Sequence, residues 1–238
     1  PLEHYLYTGC DKKSIDEKFL FIDVNGHLLQ QGYQQALNAK KERESKFQKS
    51  FGAKNKLNVK PRSEKNIYIT VIRHLQKEQK LPVIVFTFSR KRCDSNVQSL
   101  CGSLDLTTNE EKRKIHMFIA KSLLKLKKVD RELPQVKLAA VMLKNGFGVH
   151  HSGILPLLKE ITEILFQNGL VRVLFATETF AMGVNMPART VLFDSVYKHD
   201  GVNFRELQPS EYIQMAGRAG RRGKDKTGCV LVLCKGDI

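Results

Sequence analysis

Tryptophan is absent from this chain of 238 residues, and acidic side chains are scarce, 24 against 40 lysines and arginines. With no tryptophan, and with the phenylalanines mainly inside apolar runs, no aromatic ladder is available, so stacked-base recognition is expected to be minor. The shortage of acid leaves a formal net charge of +16 and a pI of about 9.7, a field that draws polyanions. Nucleic acid is the first candidate partner and an anionic membrane surface the competing one. The longest apolar run, Leu81 to Phe88, is far too short to span a bilayer. The opening residues Pro1-Leu2-Glu3-His4-Tyr5 lack the basic head and apolar stretch of a secretory leader. The five cysteines are odd in number and form no CxxC pair, which favours free thiols in a reducing compartment. Cys229 and Cys234 fall on opposite faces of an expected strand, and His150 and His151 are adjacent, so neither pair suits a metal. Two nucleotide signatures are also missing: no G-x-x-x-x-G-K-[ST] phosphate loop occurs, and no G-x-G-x-x-G follows a strand.

What is present is an alternation of short apolar runs and amphipathic stretches. Val83 to Phe86, Val171 to Ala176, Val191 to Phe193 and Val230 to Leu233 are mostly continuous, as in strands covered on both faces of a parallel sheet. Between them, Leu157, Leu158, Ile161, Ile164 and Leu165 keep helical spacing, with Pro156 suited to the first helical position and Gly169 to the stop. Ile67, Val71, Ile72 and Leu75 do likewise. A doubly wound α/β sheet joins such elements. Two segments stand outside the alternation. Lys40 to Lys65 carries ten basic residues against Glu42, Glu44 and Glu64 with no clear period, and reads as a flexible basic loop, either a solvated linker or an RNA-touching arm. From Thr107 to about Lys128, a Thr108/Glu111 capping box and the face Ile115, Phe118, Ile119, Leu123 and Leu126 predict an inserted helix, with His116 exposed on its other side.

The most informative segment is Gln214-Met215-Ala216-Gly217-Arg218-Ala219-Gly220-Arg221-Arg222-Gly223. Were it helical from about Pro209, Gln214, Arg218 and Arg221 would share one stripe and Arg222 would point away. Guanidinium forks suit phosphate oxygens, and an arginine supplied by a second domain stabilises a transferring phosphoryl group. A solvated basic helix end explains the arginines but not Gly217, Gly220 and Gly223, which would weaken such a helix without return.

In open α/β sheets ligands gather beyond the carboxyl ends of the strands. Three junctions there are small and polar: Ser89-Arg90, His151-Ser152-Gly153 and Thr177-Glu178-Thr179. Hydroxyls and amides at helix starts contact phosphate, so the three together would track a nucleic-acid backbone. Taken singly, Ser89 and Thr177 are equally well read as ordinary N-caps. Phe180 to Pro187 follows the third junction; a plain turn accounts for Gly183 and Pro187 but not for Asn185.

In this order the segments resemble the second RecA-like domain of superfamily-two helicases, specifically the superkiller-like group of exosome-assisting RNA helicases. Val85-Phe86-Thr87-Phe88-Ser89 is similar to motif IV and Gly148-Val149-His150-His151-Ser152-Gly153 to motif IVa. Ala176-Thr177-Glu178-Thr179 through Asn185 is similar to motif V, and Gln214 through Arg222 to motif VI. The resemblance covers Ser63 to Gly236; Lys40 to Lys65 has no counterpart in the family core. Ile115 to Ile119 and Asp130 to Gln135 look closer to the cytoplasmic superkiller branch than to its nuclear exosome sibling.

The resemblance implies a RecA-like α/β fold: a parallel sheet with helices on both faces, an inserted helix and a basic loop. Residues 1–35 would be strand and linker entering from a first RecA-like domain, 36–66 a basic insertion, and 67–238 the second RecA-like domain with an inserted helical segment over 107–146. Gln214, Arg218 and Arg221 would reach ATP phosphates, Arg221 as arginine finger, with Gly183 and Asn185 beside the nucleotide. Ser89, Arg90, His151, Gly153, Thr177 and Thr179 would line single-stranded RNA, and no residue here would bind a metal. The phosphate loop and the Asp-Glu-x-His box for Mg2+ lie on the first domain in this class, so the chain reads as half of a 3′ to 5′ RNA motor, inactive alone. Superkiller-complex subunits and the exosome would be its partners, in the cytoplasm. The alternatives are the nuclear sibling, a related DNA helicase, or a non-enzymatic RNA-binding or docking module.

Overall fold

A computed structural model describes residues 1–9, 12–50 and 64–235, with the side chains of 43–50 outside the description. The chain opens with β1 (Leu2–Tyr7), β2 (Lys18–Ile22) and α1 (Gln30–Ser50), then α2 (Glu64–Lys77), β3 (Val83–Phe86) and α3 (Arg90–Cys101). Three helices follow, α4 (Asn109–Leu123), α5 (Lys128–Arg131) and α6 (Pro134–Lys144). The alternation resumes with β4 (Phe147–His150), α7 (Pro156–Gln167), β5 (Val173–Ala176), α8 (Glu178–Gly183) and β6 (Thr190–Phe193). A hairpin of β7 (Tyr197–His199) and β8 (Phe204–Glu206), then α9 (Pro209–Ala216) and β9 (Gly228–Leu233), complete it.

Seven strands form one sheet in the order β2-β1-β9-β6-β3-β5-β4, parallel except for the antiparallel edge pair β1–β2. Every residue of β3, β4, β5, β6 and β9 is buried, which requires cover on both faces and explains why these strands read as continuous apolar runs. Phe86, Phe175 and Phe193 are fully buried at its centre, as is Phe147 on the edge strand β4. α7 begins at Pro156 and gives way at Gly169, whose φ of 73° is left-handed.

Two regions differ from expectation. The basic stretch expected as a loop from Lys40 is helical as far as Ser50, as the last part of α1; 51–63 lies outside the described residues. α1 hides itself from pattern reading because the buried positions among its described side chains, Gly32 and Ala36, are too small to make an apolar stripe, while glutamine, lysine and alanine are good helix formers. Residues 1–35, expected as strand and linker, supply two sheet strands and the start of this helix. The inserted segment is three helices rather than one. Its capping box is present, with the Glu111 amide donating to Thr108 Oγ1 at 3.2 Å and the Thr108 amide to Glu111 Oε2 at 2.8 Å. Ile115 and Ile119 are buried, His116 is exposed, and Pro134 starts α6.

β9 begins at a corner with little room. A Cβ on Gly228 would stand 2.5 Å from the Ala219 carbonyl oxygen and 2.6 Å from Leu2 Cδ2. Gly228→Ala is therefore expected to cost about 1–3 kcal/mol of stability through forced backbone shifts, measured by urea denaturation. An unchanged midpoint would show that this corner yields freely.

Candidate nucleotide and nucleic-acid sites on opposite edges of the sheet

β3, β5 and β4 are neighbours, and their last residues Phe86, Ala176 and His150 are in register. The ladder continues one step further, through Thr87 N–H to Ala176 O at 3.0 Å and Thr177 N–H to His150 O at 3.3 Å. The three polar junctions are thus level along one carboxyl edge. Ser89 caps α3, accepting from the Arg92 amide at 3.4 Å, which leaves Arg90 exposed in the first turn. Thr177 makes no side-chain cap; its hydroxyl lies 3.1 Å from that of exposed Thr179.

His151 is placed differently from the surface contact expected of it. Its side chain is only 4% exposed. The Gly153 amide donates to Nδ1 at 3.0 Å, so the ring proton sits on Nε2, which donates to Asp94 on α3 at 3.2 Å. The imidazole fixes the loop that presents Gly153 and ties it to the helix beginning at Arg90. Gln135 on α6, whose role sequence reasoning missed, holds the same loop from the inserted segment: its Nε2 donates to Gly153 O at 3.1 Å and its Oε1 accepts from the Leu155 amide at 3.2 Å.

The arginine segment lies at the other edge. α9 ends at Ala216, so the helical stripe of Gln214, Arg218 and Arg221 does not form: Gln214 is exposed in the last turn and both arginines follow in a loop. Gly220, at φ 87°, turns the chain toward β9. Ala188, just ahead of β6, clamps this loop by backbone pairing, donating to Arg218 O at 2.9 Å and accepting from Gly220 N–H at 2.8 Å. β6 separates this amino edge from the carboxyl edge by four residues, about 13 Å.

Arg218 reaches across to α8 and the turn after it, donating to the Ala181 carbonyl and to Asn185 Oδ1 at 3.2 Å. Asn185 is thereby joined to the arginine segment, and Gly183 nearby is exposed with open space where a side chain would be. Arg221 lies in a fork with Asp225, Nε to Oδ2 at 2.9 Å and Nη2 to Oδ1 at 3.0 Å. The paired guanidinium holds the Asp225 carboxyl well below the usual carboxylate range. Neither Asp225 nor its second partner Arg189 was singled out from sequence. Among the described residues no group of three or more His, Cys, Asp or Glu is placed to hold a metal ion.

The β7–β8 hairpin links the two edges. Lys198 on β7, 10% exposed, contacts Glu178 of α8 at 2.6 Å and Glu211 of α9 at 2.7 Å. Arg205 on β8 forks onto the same Glu211 at 2.8 and 2.9 Å. Asp194, after β6, is buried among Tyr68, Arg92 at 2.7 Å and Lys235, which fixes α2, α3 and the end of β9 to the carboxyl edge.

Two buried histidines serve the packing. His150 Nε2 meets Glu163 at 2.7 Å and His74 Nδ1 meets Asp16 at 3.1 Å, while His150 Nδ1 and His74 Nε2 have no hydrogen-bond partner among the described residues. Burial lowers both pKa values, opposed in part by those carboxylates. Depressed values mean that the unfolded chain binds more protons. The stability is fully present above the unfolded value of about 6.5 and is lost as pH falls below it. The urea midpoint is expected to drop between pH 7.5 and 5.5, and to drop less in His74→Gln/His150→Gln; equal slopes in both proteins would contradict this.

Residues 66–223 match the family described as helicase conserved C-terminal domain, and the chain belongs to that family. Within it the similarity is to the superkiller group. The chain is 56% identical over its whole length to mouse superkiller complex protein 2, and 53% identical over 71% of its length to the antiviral helicase SKI2 of Saccharomyces cerevisiae. Identity to the mouse exosome RNA helicase MTR4 is lower, 39% over 98% of the chain. The chain spans 19%, 13% and 22% of those three proteins respectively.

Proposed function

We propose that this chain is the second RecA-like half of the motor of an ATP-dependent RNA helicase that moves 3′ to 5′ and feeds RNA to the exosome. The observation that carries the reading is an arginine segment built onto the sheet edge in a chain without a phosphate loop. Residues 67–238 are the domain proper with 107–146 its helical insertion; 1–35, the approach from the first RecA-like domain, also extend its sheet through β1 and β2, and the basic insertion 36–66 begins within α1. The 56% identity to superkiller complex protein 2 against 39% to MTR4 supports the cytoplasmic superkiller branch over the nuclear sibling, with superkiller subunits and the exosome as partners.

The residues divide by edge. At the carboxyl edge Ser89, Arg90, Gly153, Thr177 and Thr179 hold the phosphate and sugar of single-stranded RNA, and His151 shapes the loop that offers Gly153. At the amino edge Arg218 and Arg221 bind and orient the ATP phosphates, with Gln214, Gly183 and Asn185 beside them. The fit is one of donors: Arg221 spends Nε and one Nη2 proton on Asp225 and keeps both Nη1 protons. ATP with Mg2+, held mainly by the first domain, supplies the phosphoryl group whose charge these arginines neutralise.

The 238 residues alone are expected to show no steady ATPase activity at saturating RNA, and turnover by them would refute the half-motor reading. In the longer protein, Arg221→Ala is expected to lower kcat on the order of a thousandfold with nucleotide binding largely kept. An unchanged turnover number would remove Arg221 from the role of finger.

A further inference from the structure

Arg221 is held by more than its own backbone. The turn that follows it closes through Lys224 N–H and Asp225 N–H, both donating to Arg221 O at 3.0 Å, which brings Asp225 back against the side chain four residues earlier. The carboxylate then takes three hydrogen bonds from Arg221: the backbone amide at 3.0 Å, Nε at 2.9 Å and Nη2 at 3.0 Å. It also accepts from Arg189 Nε at 2.9 Å, and its side chain is only 6% exposed. Arg189 is anchored in turn. Its Nη1 donates to the Gln79 carbonyl after α2, and its backbone amide donates to Pro82 O at 3.1 Å, just ahead of β3.

A surface ion pair would contribute little and restrain little. This one restrains more, because the Asp225 side chain is almost wholly covered and holds two partly exposed arginine partners, so it cannot swing away without giving up both. The bidentate contact fixes the plane of the Arg221 guanidinium as well as its position. It uses the Nε side of the fork, so the Nη1 edge is the one left for a phosphate.

We propose that Asp225 is a positioning residue for Arg221, with Arg189 as the brace that keeps Asp225 in place. The carboxylate touches no phosphate; it aims the guanidinium, as an outer-shell carboxylate orients a metal-bound histidine. The proposal rests on Arg221 acting on the phosphoryl group, and the test separates the two claims.

The test is steady-state ATPase kinetics at saturating RNA, in the longer protein that carries both motor halves, for Asp225→Asn, Arg221→Ala and the double variant. Asp225→Asn keeps the shape and removes the charge that fixes the fork. Its kcat is expected to fall about 10- to 100-fold, with the KM for ATP within about twofold of the parent. The double variant is expected to be no slower than Arg221→Ala alone, since Asp225 has nothing left to aim. A merely structural Asp225 would lower the double variant further, and that multiplicative loss would overturn the proposal. So would an unchanged kcat in Asp225→Asn beside a large loss in Arg221→Ala, which leaves the finger standing without the aim. If Arg221→Ala itself turns over normally, the finger reading fails first and this inference with it. Should Asp225→Asn not fold, Arg189→Lys replaces it, keeping charge while weakening the brace, with the same split of kcat and KM expected and equal kcat contradicting it.

Discussion

The backbone pairing of Ala188 with the segment Arg218 to Gly220 is the constraint on which the arrangement of the site depends. It places a loop that is neither helix nor strand at a defined height on the amino edge of the sheet, between β6 and the start of β9. Without it, Arg218 and Arg221 would be long side chains on a free turn. With it, their reach is set by a parallel ladder whose central strands are completely buried. Gly228 belongs to the same constraint, since the Ala219 carbonyl rests where its side chain would be.

From that fixed corner the rest of the molecule reads as a way of joining two edges. β6 is four residues long, and the residues flanking it fix different edges: Arg189 braces the arginine loop, while Asp194 anchors the carboxyl edge through Tyr68, Arg92 and Lys235. A second connection runs through Lys198, set between Glu178 beside the Thr177 junction and Glu211 on the helix that leads to the arginines. Burying one ammonium between two carboxylates leaves a negative pair without it, so α8, the hairpin and α9 are expected to move as one piece. A motor of the proposed kind would require such rigid links between the two edges.

Much of this was legible in the amino-acid order. β3, β5, β6 and β9 announced themselves because a strand covered on both faces is almost wholly apolar, and α7 because proline and glycine bound a clean apolar stripe. The order of the polar junctions and the arginine segment was enough to suggest the family to which residues 66–223 belong. What was hidden depends on contacts distant in sequence or on small residues. α1 escaped because Gly32 and Ala36 are the buried positions among its described side chains. The role of Gln135 escaped because its loop is 18 and 20 residues away. The arginine stripe does not form because Gly217 caps the helix and Gly220 turns the chain, so the glycines end the helix rather than sit within it. His151 was read as a ligand contact because adjacency to polar residues does not tell inward from outward; Asp94 draws it in.

The most direct measurement is the structure of the longer protein, with both motor halves, bound to single-stranded RNA and ADP–aluminium fluoride. The central claim is that this chain completes an ATP site at its amino edge while holding RNA at its carboxyl edge. Arg221 should be found hydrogen-bonded through Nη1 to the phosphoryl analogue, with Asp225 still on Nε and the RNA backbone against Ser89, Gly153 and Thr177. An analogue neutralised by other cations, with the Arg221 guanidinium remote from it, would contradict the account.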